Sequence, residues 1–349
     1  MAEDESSSEA PGWEALDAAL ETAFGDIEPL HWGATVPWEM GGSDPLRGIS
    51  AYRSQRGRPH LHYVTYGFSE LFRKETDDPQ ISGYGFELTF RLACKPKQEP
   101  PDWVLDFLQN LARYVFETGN AFGVGHTLPL NGPICEGRPT QIRAALFVQD
   151  RELKPIKTPN GRVEFLQVVG LTEDELAAIE CWSSTGFAKL IAEKNSLFLT
   201  DLSRPSLLSD PAFAEQVRVR TEREGAVSDA MFSDKAALLL EGGKPVLTIG
   251  AILAPALRNR LRGRIPFDRI FTIYTEGASI RFEPAERFAV EPTADGFRVR
   301  LTKPQTEKIC RVLEPRAGRH QLADPPGLTI VIEPTPIKDQ AGQVTHVVG

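Results

Sequence analysis

Near the start of the chain, Trp13, Leu16, Leu20 and Phe24 recur at intervals of three and four, and Gly25 closes the run. That spacing puts the four side chains on one apolar stripe and predicts a helix over residues 12–24. The pattern then changes period. Residues 62–66 (HYVTY) are rich in strand formers and end at Gly67. Phe86, Leu88 and Phe90 alternate with Glu87, Thr89 and Arg91, which predicts a strand with one buried face and one wet face. Gly83 and Gly85 before it suit a turn or bulge. Helical spacing returns over residues 102–118, where Val104, Phe107, Leu108, Leu111 and Val115 share a side.

Residues 142–148 and 163–169 are apolar runs of strand length, with Pro159-Asn160-Gly161 marking the turn between them. Thr172 and Glu175 have the spacing of a capping box and predict a helix carrying Leu176 and Ile179. A short helix over 187–194 and a strand over 196–200 follow. Apolar density falls and charge rises from 201 to about 235, so a boundary is expected there. Beyond it, strands are predicted at 236–240, 246–253, 271–274, 297–301 and 328–332. A helix is predicted at 304–313, with Thr302 and Gln305 placed as a capping box.

Strands and helices mix without regular βαβ alternation. The expected class is therefore α+β: two mixed α/β-type domains, each a mixed or antiparallel sheet with packed helices. With 349 residues, two domains are the natural division. The expected boundaries are a flexible start at 1–11, a first domain at 12–225 and a second at 236–349.

Composition removes some function classes. A net charge of −9 disfavours nucleic acid and anionic membranes as partners. The basic cluster at 258–264 (RNRLRGR) reads as a solvated turn or helix face. The four cysteines, Cys94, Cys135, Cys181 and Cys310, lie far apart without a C-x-x-C pair, the habit of small buried hydrophobes in a reducing compartment. The acidic, polar start is not a secretory signal, and a cytoplasmic protein is expected. Arginine outnumbers lysine, a bias typical of GC-rich bacterial genomes.

Catalytic patterns are missing from the sequence. His60 and His62 would share one face of a strand, yet no third ligand at matching spacing completes a zinc site, so they read as edge or surface histidines. No G-x-S-x-G elbow occurs. The glycines of 119–125 follow a helix, whereas phosphate loops follow a strand, so this stretch reads as a helix stop and turn. Glu173 and Asp174 complement a helix dipole. No catalytic residue, metal or cofactor is expected.

Several blocks taken together carry a resemblance. Residues 41–46 (GGSDPL) lead into 49–53 (ISAYR), and 62–71 (HYVTYGFSEL) run on to 83–91 (GYGFELTFR). Residues 111–122 (LARYVFETGNAF) are followed by 158–170 (TPNGRVEFLQVVG). Over about residues 15–203 this order resembles the amino-terminal domain of the Suppressor of fused family, negative regulators of hedgehog signalling in animals. The stretches 238–275 and 297–312 resemble the family's carboxy-terminal domain.

The resemblance implies a non-enzymatic regulator whose two domains close on an extended peptide, which adds as a strand. Tyr114 and Phe122 stand where the family has aromatic residues at the peptide groove. His126 and Gln149 stand where animal members have an aspartate and a glutamate that face a histidine of a Gli-type peptide. Losing both acids removes a charge-assisted contact and points to a different, even acidic, partner. Compact bacterial relatives include proposed immunity proteins, so neutralisation of a cognate toxin is the alternative. An enzyme is the reading from another class. The partner's identity and the oligomeric state are not legible.

Overall fold

The computed structural model describes residues 9–338 and 343–349. Of the start expected to be flexible, residues 1–8 lie outside the described residues, and helix is already formed at Pro11. The chain folds into two compact units: residues up to 173 with 188–206, and residues 174–187 with 207 to the end.

The first unit is built on one sheet. Its elements in chain order are α1 (Pro11–Phe24), β1 (Leu30–Gly33), β2 (Gly48–Ser54), β3 (His60–Tyr66), β4 (Ile81–Ala93), α2 (Trp103–Thr118), β5 (Thr127–Pro129), β6 (Ile142–Gln149), β7 (Ile156–Thr158) and β8 (Gly161–Thr172). The strand order is β1-β2-β3-β4-β8-β6-β5, with β7 paired to β8. Neighbours run antiparallel except β4 and β8, whose parallel register sets Phe86 opposite Glu164 and Phe90 opposite Val168. Pro159 and Asn160 make the two-residue turn between β7 and β8. At Gly161, φ is +119° and an added Cβ would sit 2.7 Å from the Ile81 carbonyl carbon, so only glycine admits that approach.

Each face of this sheet carries a helix. On one face, α2 buries Val104, Phe107, Leu108, Leu111 and Val115 against Phe86, Leu88, Phe90 and Phe147. On the other, α1 buries Leu16, Leu20 and Phe24 against Tyr52, Val64, Tyr66 and Phe165. Each such aliphatic or aromatic side chain contributes roughly 1.5–3 kcal/mol by leaving water.

That second covering corrects the expectation for β4. Glu87, Thr89 and Arg91 are not wet; all three are fully buried. The alternation was real, but the second face is roofed by protein and its polar groups bond to one another. His60 and His62 are likewise buried in the sheet interior, not at an edge or surface. The strand expected at 196–200 is absent: Phe198 has φ +54°, and only Thr200 bridges, to Leu92.

The chain passes between the units within α3 (Glu173–Cys181) and α4 (Ser184–Lys194). The second unit continues with α5 (Pro211–Glu224), β9 (Ala230–Phe232), β10 (Ala236–Glu241), β11 (Lys244–Gly250), α6 (Ala254–Arg264), β12 (Phe271–Thr275), β13 (Ala278–Pro284), β14 (Ala289–Thr293), β15 (Gly296–Leu301), α7 (Lys303–Val312), β16 (Gly318–Gln321), β17 (Thr329–Glu333), β18 (Thr335–Lys338) and β19 (Val344–Val348). Two mixed sheets, β10-β11-β17-β16 and β14-β15-β13-β12-β9, share one apolar core with α6 and α7. The capping box at Thr302 and Gln305 is formed as expected. Both units are α+β with mixed sheets.

Residues 258–264 prove to be the second half of α6. The helix buries Asn259 and Leu261 and leaves Arg262 alone of its four arginines exposed. Periodicity missed α6 because arginines occupy positions where their stems cover the core.

Candidate functional site

The residues singled out near the end of α2 meet in the first unit. Gly119 stops the helix in the left-handed region, at φ 71°, and its N–H bonds the Val115 carbonyl at 2.8 Å. The chain turns back and drops Phe122 onto the sheet, where its ring stacks on Phe147 at 4.1 Å. Tyr114 stacks on Phe122 from outside, at 5.6 Å and 15° between planes. Phe147 is fully buried and Phe122 nearly so, while Tyr114 keeps 38% of its surface exposed. The three rings form a ladder from core to solvent, worth about 0.5–1.5 kcal/mol per pair beyond burial.

His126 lies on the surface just before β5. Its carbonyl accepts the Phe147 N–H at 3.0 Å, and Gly125 donates to the Phe147 carbonyl at 2.8 Å. Phe147 thus exchanges both backbone bonds with the β5 side. Two residues on, the Gln149 peptide groups face the same way, beyond the end of that pairing. The Gln149 side chain is held from the other direction, donating to the Phe165 carbonyl at 3.2 Å. Tyr114, Phe122 and His126 therefore gather at one corner. Gln149 stands about 7 Å further along the same ledge. What this corner offers is an aromatic surface beside a short stretch of open sheet edge, capable of holding an extended chain.

Sequence reasoning missed a second concentration of chemistry on the opposite face of the sheet. Arg91 donates to Asp150 at 2.8 Å, to Glu152 at 3.0 Å and to Gln167. Asp150 also accepts from Thr89 at 2.6 Å and lies 3.3 Å from His62. Gln167 donates onward to the Leu197 and Phe198 carbonyls. Burial, reinforced by Arg91, holds His62 below its ordinary value. Asp150 resists the upward push of burial because His62 and Arg91 hold it far below the carboxylate range. Glu87 forms a separate knot, accepting from Thr65, the Ser69 hydroxyl and the Gly67 and Ser69 amides at 2.6–2.9 Å. With no cation to offset desolvation, it is raised to about 7. The available signal was the run of Glu87 and Arg91 on one strand, with His62 on its neighbour β3 and Asp150 just past the end of β6.

These groups are closed off and bonded to each other, the geometry of a structural network. Among the described residues, no three His, Cys, Asp or Glu side chains are grouped to hold a metal ion.

Comparison with known proteins shows what the chain is similar to. The family model described as Suppressor of fused protein matches residues 42–205, the stretch that supplies β4, α2, β6 and β8. Over these residues the chain is similar to the Suppressor of fused family. The Suppressor of fused homolog of Mus musculus is 34% identical over 218 residues, covering 57% of this chain. The match spans 44% of that relative, a little under half its length.

Two solved structures extend the likeness. The crystal structure of Drosophila Suppressor of Fused matches with a TM-score of 0.71 and 20% identity, covering 95% of this chain and 99% of its own, which fixes the fold of both units. A chain of the Sufu-Fu complex crystal structure matches with a TM-score of 0.56 and 29% identity, over 60% of this chain and 98% of its own. No helix among the described residues is long and apolar enough to cross a membrane.

Proposed function

We propose that the chain is a non-enzymatic, protein-binding regulator that holds an extended segment of a partner at the Tyr114–Phe122–His126 corner. The observation that carries this reading is the ladder of three stacked rings ending in an exposed tyrosine beside the open β6 edge. An extended peptide added there would gain backbone hydrogen bonds from the edge and an aromatic platform for a side chain. The likeness of residues 42–205 to the Suppressor of fused family supports it, as does a similar protein solved as a complex, Sufu with Fu.

Chemistry at the corner narrows the partner. His126 and Gln149 supply no negative charge, so a peptide presenting a cationic histidine has no charged complement there. The proposed partner segment is neutral or acidic. The double substitution His126→Asp and Gln149→Glu should raise affinity for a histidine-centred Gli-type peptide by about tenfold or more, measured by calorimetry. An unchanged affinity would remove these two positions from the site. The resemblance further implies that two lobes close on the peptide. A fall in radius of gyration on binding supports closure, and an unchanged value leaves strand addition without it. The natural setting proposed is the cytoplasm.

A further inference from the structure

On the α1 face of the first unit's sheet, away from the Tyr114 corner, lies an open cleft of about 410 Å³. Tyr52, Tyr66 and Ser50, all buried, make its floor; Trp13, His31, Asp17 and Glu21 are among the residues of its rim. The rings are fixed before any ligand arrives. Trp13 stacks on Tyr66 at 4.8 Å, His31 meets both, and Phe24 backs Tyr52 at 4.0 Å. Tyr66 donates to Asp17 at 2.9 Å, which holds one carboxylate oxygen and leaves the other for a ligand. His31 Nδ1 lies 2.9 Å from the Ser50 hydroxyl.

The charge in this cleft has one sign. Neither lysine nor arginine is among the residues that line it, and two carboxylates are. Burial lowers His31 from its ordinary value, with Asp17 only partly opposing, which favours the neutral ring. Burial and Asp17 raise both Tyr52 and Tyr66, which therefore stay neutral phenols. A cleft of neutral aromatic side chains with two carboxylates at its mouth suits one ligand chemistry, an organic cation whose charge pairs with the carboxylates and whose stem packs on the aromatic floor. The volume falls within the range of small-ligand sites.

We infer that the cleft between α1 and β1–β3 binds a guanidinium or alkylammonium group, at a site separate from the peptide corner. The cation has two possible sources, a free amine or the side chain of a basic polypeptide. β1 is the outermost strand of the sheet, so a polypeptide could lie along its free edge while one side chain enters the cleft.

The test uses the full chain, with the Trp13 indole signal followed by NMR and assigned by its loss in Trp13→Phe. Nα-acetyl-arginine methylamide and tetramethylammonium should shift that signal saturably, and the neutral citrulline analogue should not. Asp17→Asn with Glu21→Gln preserves the Tyr66 hydrogen bond and should weaken cation binding about tenfold. An unaltered melting temperature and dichroism spectrum would show that the fold is intact. Equal shifts from arginine and citrulline, no shift from either cation, or full affinity in the double variant would each overturn the site. Tighter binding of a Gly-Arg-Gly peptide than of the arginine amide would make a polypeptide the source; equal binding would make it a free amine. Tyr114→Ala should leave every shift unchanged, so this site and the peptide corner fail independently.

Discussion

On the α2 side of the first unit's sheet, Phe86, Leu88, Phe90 and Phe147 meet a helix through carbon alone. On the α1 side of the same strands, Glu87, Thr89, Arg91, His62 and Asp150 are just as thoroughly buried. Both faces are dry, but they are held by different forces. The first depends on shape and gains with each methylene removed from water. The second depends on complete pairing, because its charges cost several kcal/mol each to desolvate and are tolerated only as a set. The polar side is therefore the brittle one.

Arg91→Met attacks that side most directly. It leaves Asp150 without its guanidinium and Glu152 with that of Arg56 alone, and should destabilise the unit by about 3–5 kcal/mol in urea unfolding. A loss below about 1 kcal/mol would mean that the network is not tightly coupled. Leu88→Ala on the apolar side should cost about 2–5 kcal/mol, and equally at pH 5.5 and pH 8, because no proton is involved. A clear pH dependence of that cost would blur the contrast between the faces.

The polar side should also titrate, in two opposing ways. Glu87 is raised to about 7, so the folded state prefers its protonated form. Its contribution is fully present below the unfolded value near 4.5 and disappears as pH rises through about 7, a change of roughly 1–3 kcal/mol. Glu87→Gln should flatten this alkaline limb. If the variant keeps the wild-type slope between pH 5.5 and 8, another group is responsible. Asp150 and Glu152 are lowered, so their contribution is present above the ordinary carboxylate range and fades as acid is added. His62, lowered as well, adds to that acid limb. The smallest effect on stability belongs to the proposed binding corner. Tyr114→Ala should change unfolding by about 1 kcal/mol or less, since the ring is partly exposed, while weakening partner binding about tenfold. Equal partner affinity for the variant would detach Tyr114 from function.

Much of the apolar architecture could be read from spacing. The stripe of α1, the face of α2 and the capping box of α7 each follow from a local rule, and each is in place. The buried polar face was not readable that way. An alternating strand has the same pattern whether water or a second roof covers its polar side, and what settles the matter is α1 and residues 195–200, remote in sequence. His60 and His62 were misjudged for the same reason. For the candidate site, spacing predicted the helix stop at Gly119 but not the return of Phe122 onto Phe147. Only the resemblance drew attention to Tyr114, Phe122, His126 and Gln149. The cleft under α1 gave no signal, because its aromatic walls come from four elements, α1, β1, β2 and β3, that spacing alone does not bring together.

The parallel pairing of β4 with β8 has a consequence for how the chain comes off the ribosome. Residues 86–90 are synthesised long before residues 164–168, which complete the middle of the sheet. Until then the β2–β3–β4 meander presents an unpaired edge lined with Phe86, Leu88 and Phe90, open to adventitious strands. Closing so long a loop is slow, and the nascent first unit is therefore the stage at which this protein most needs a chaperone.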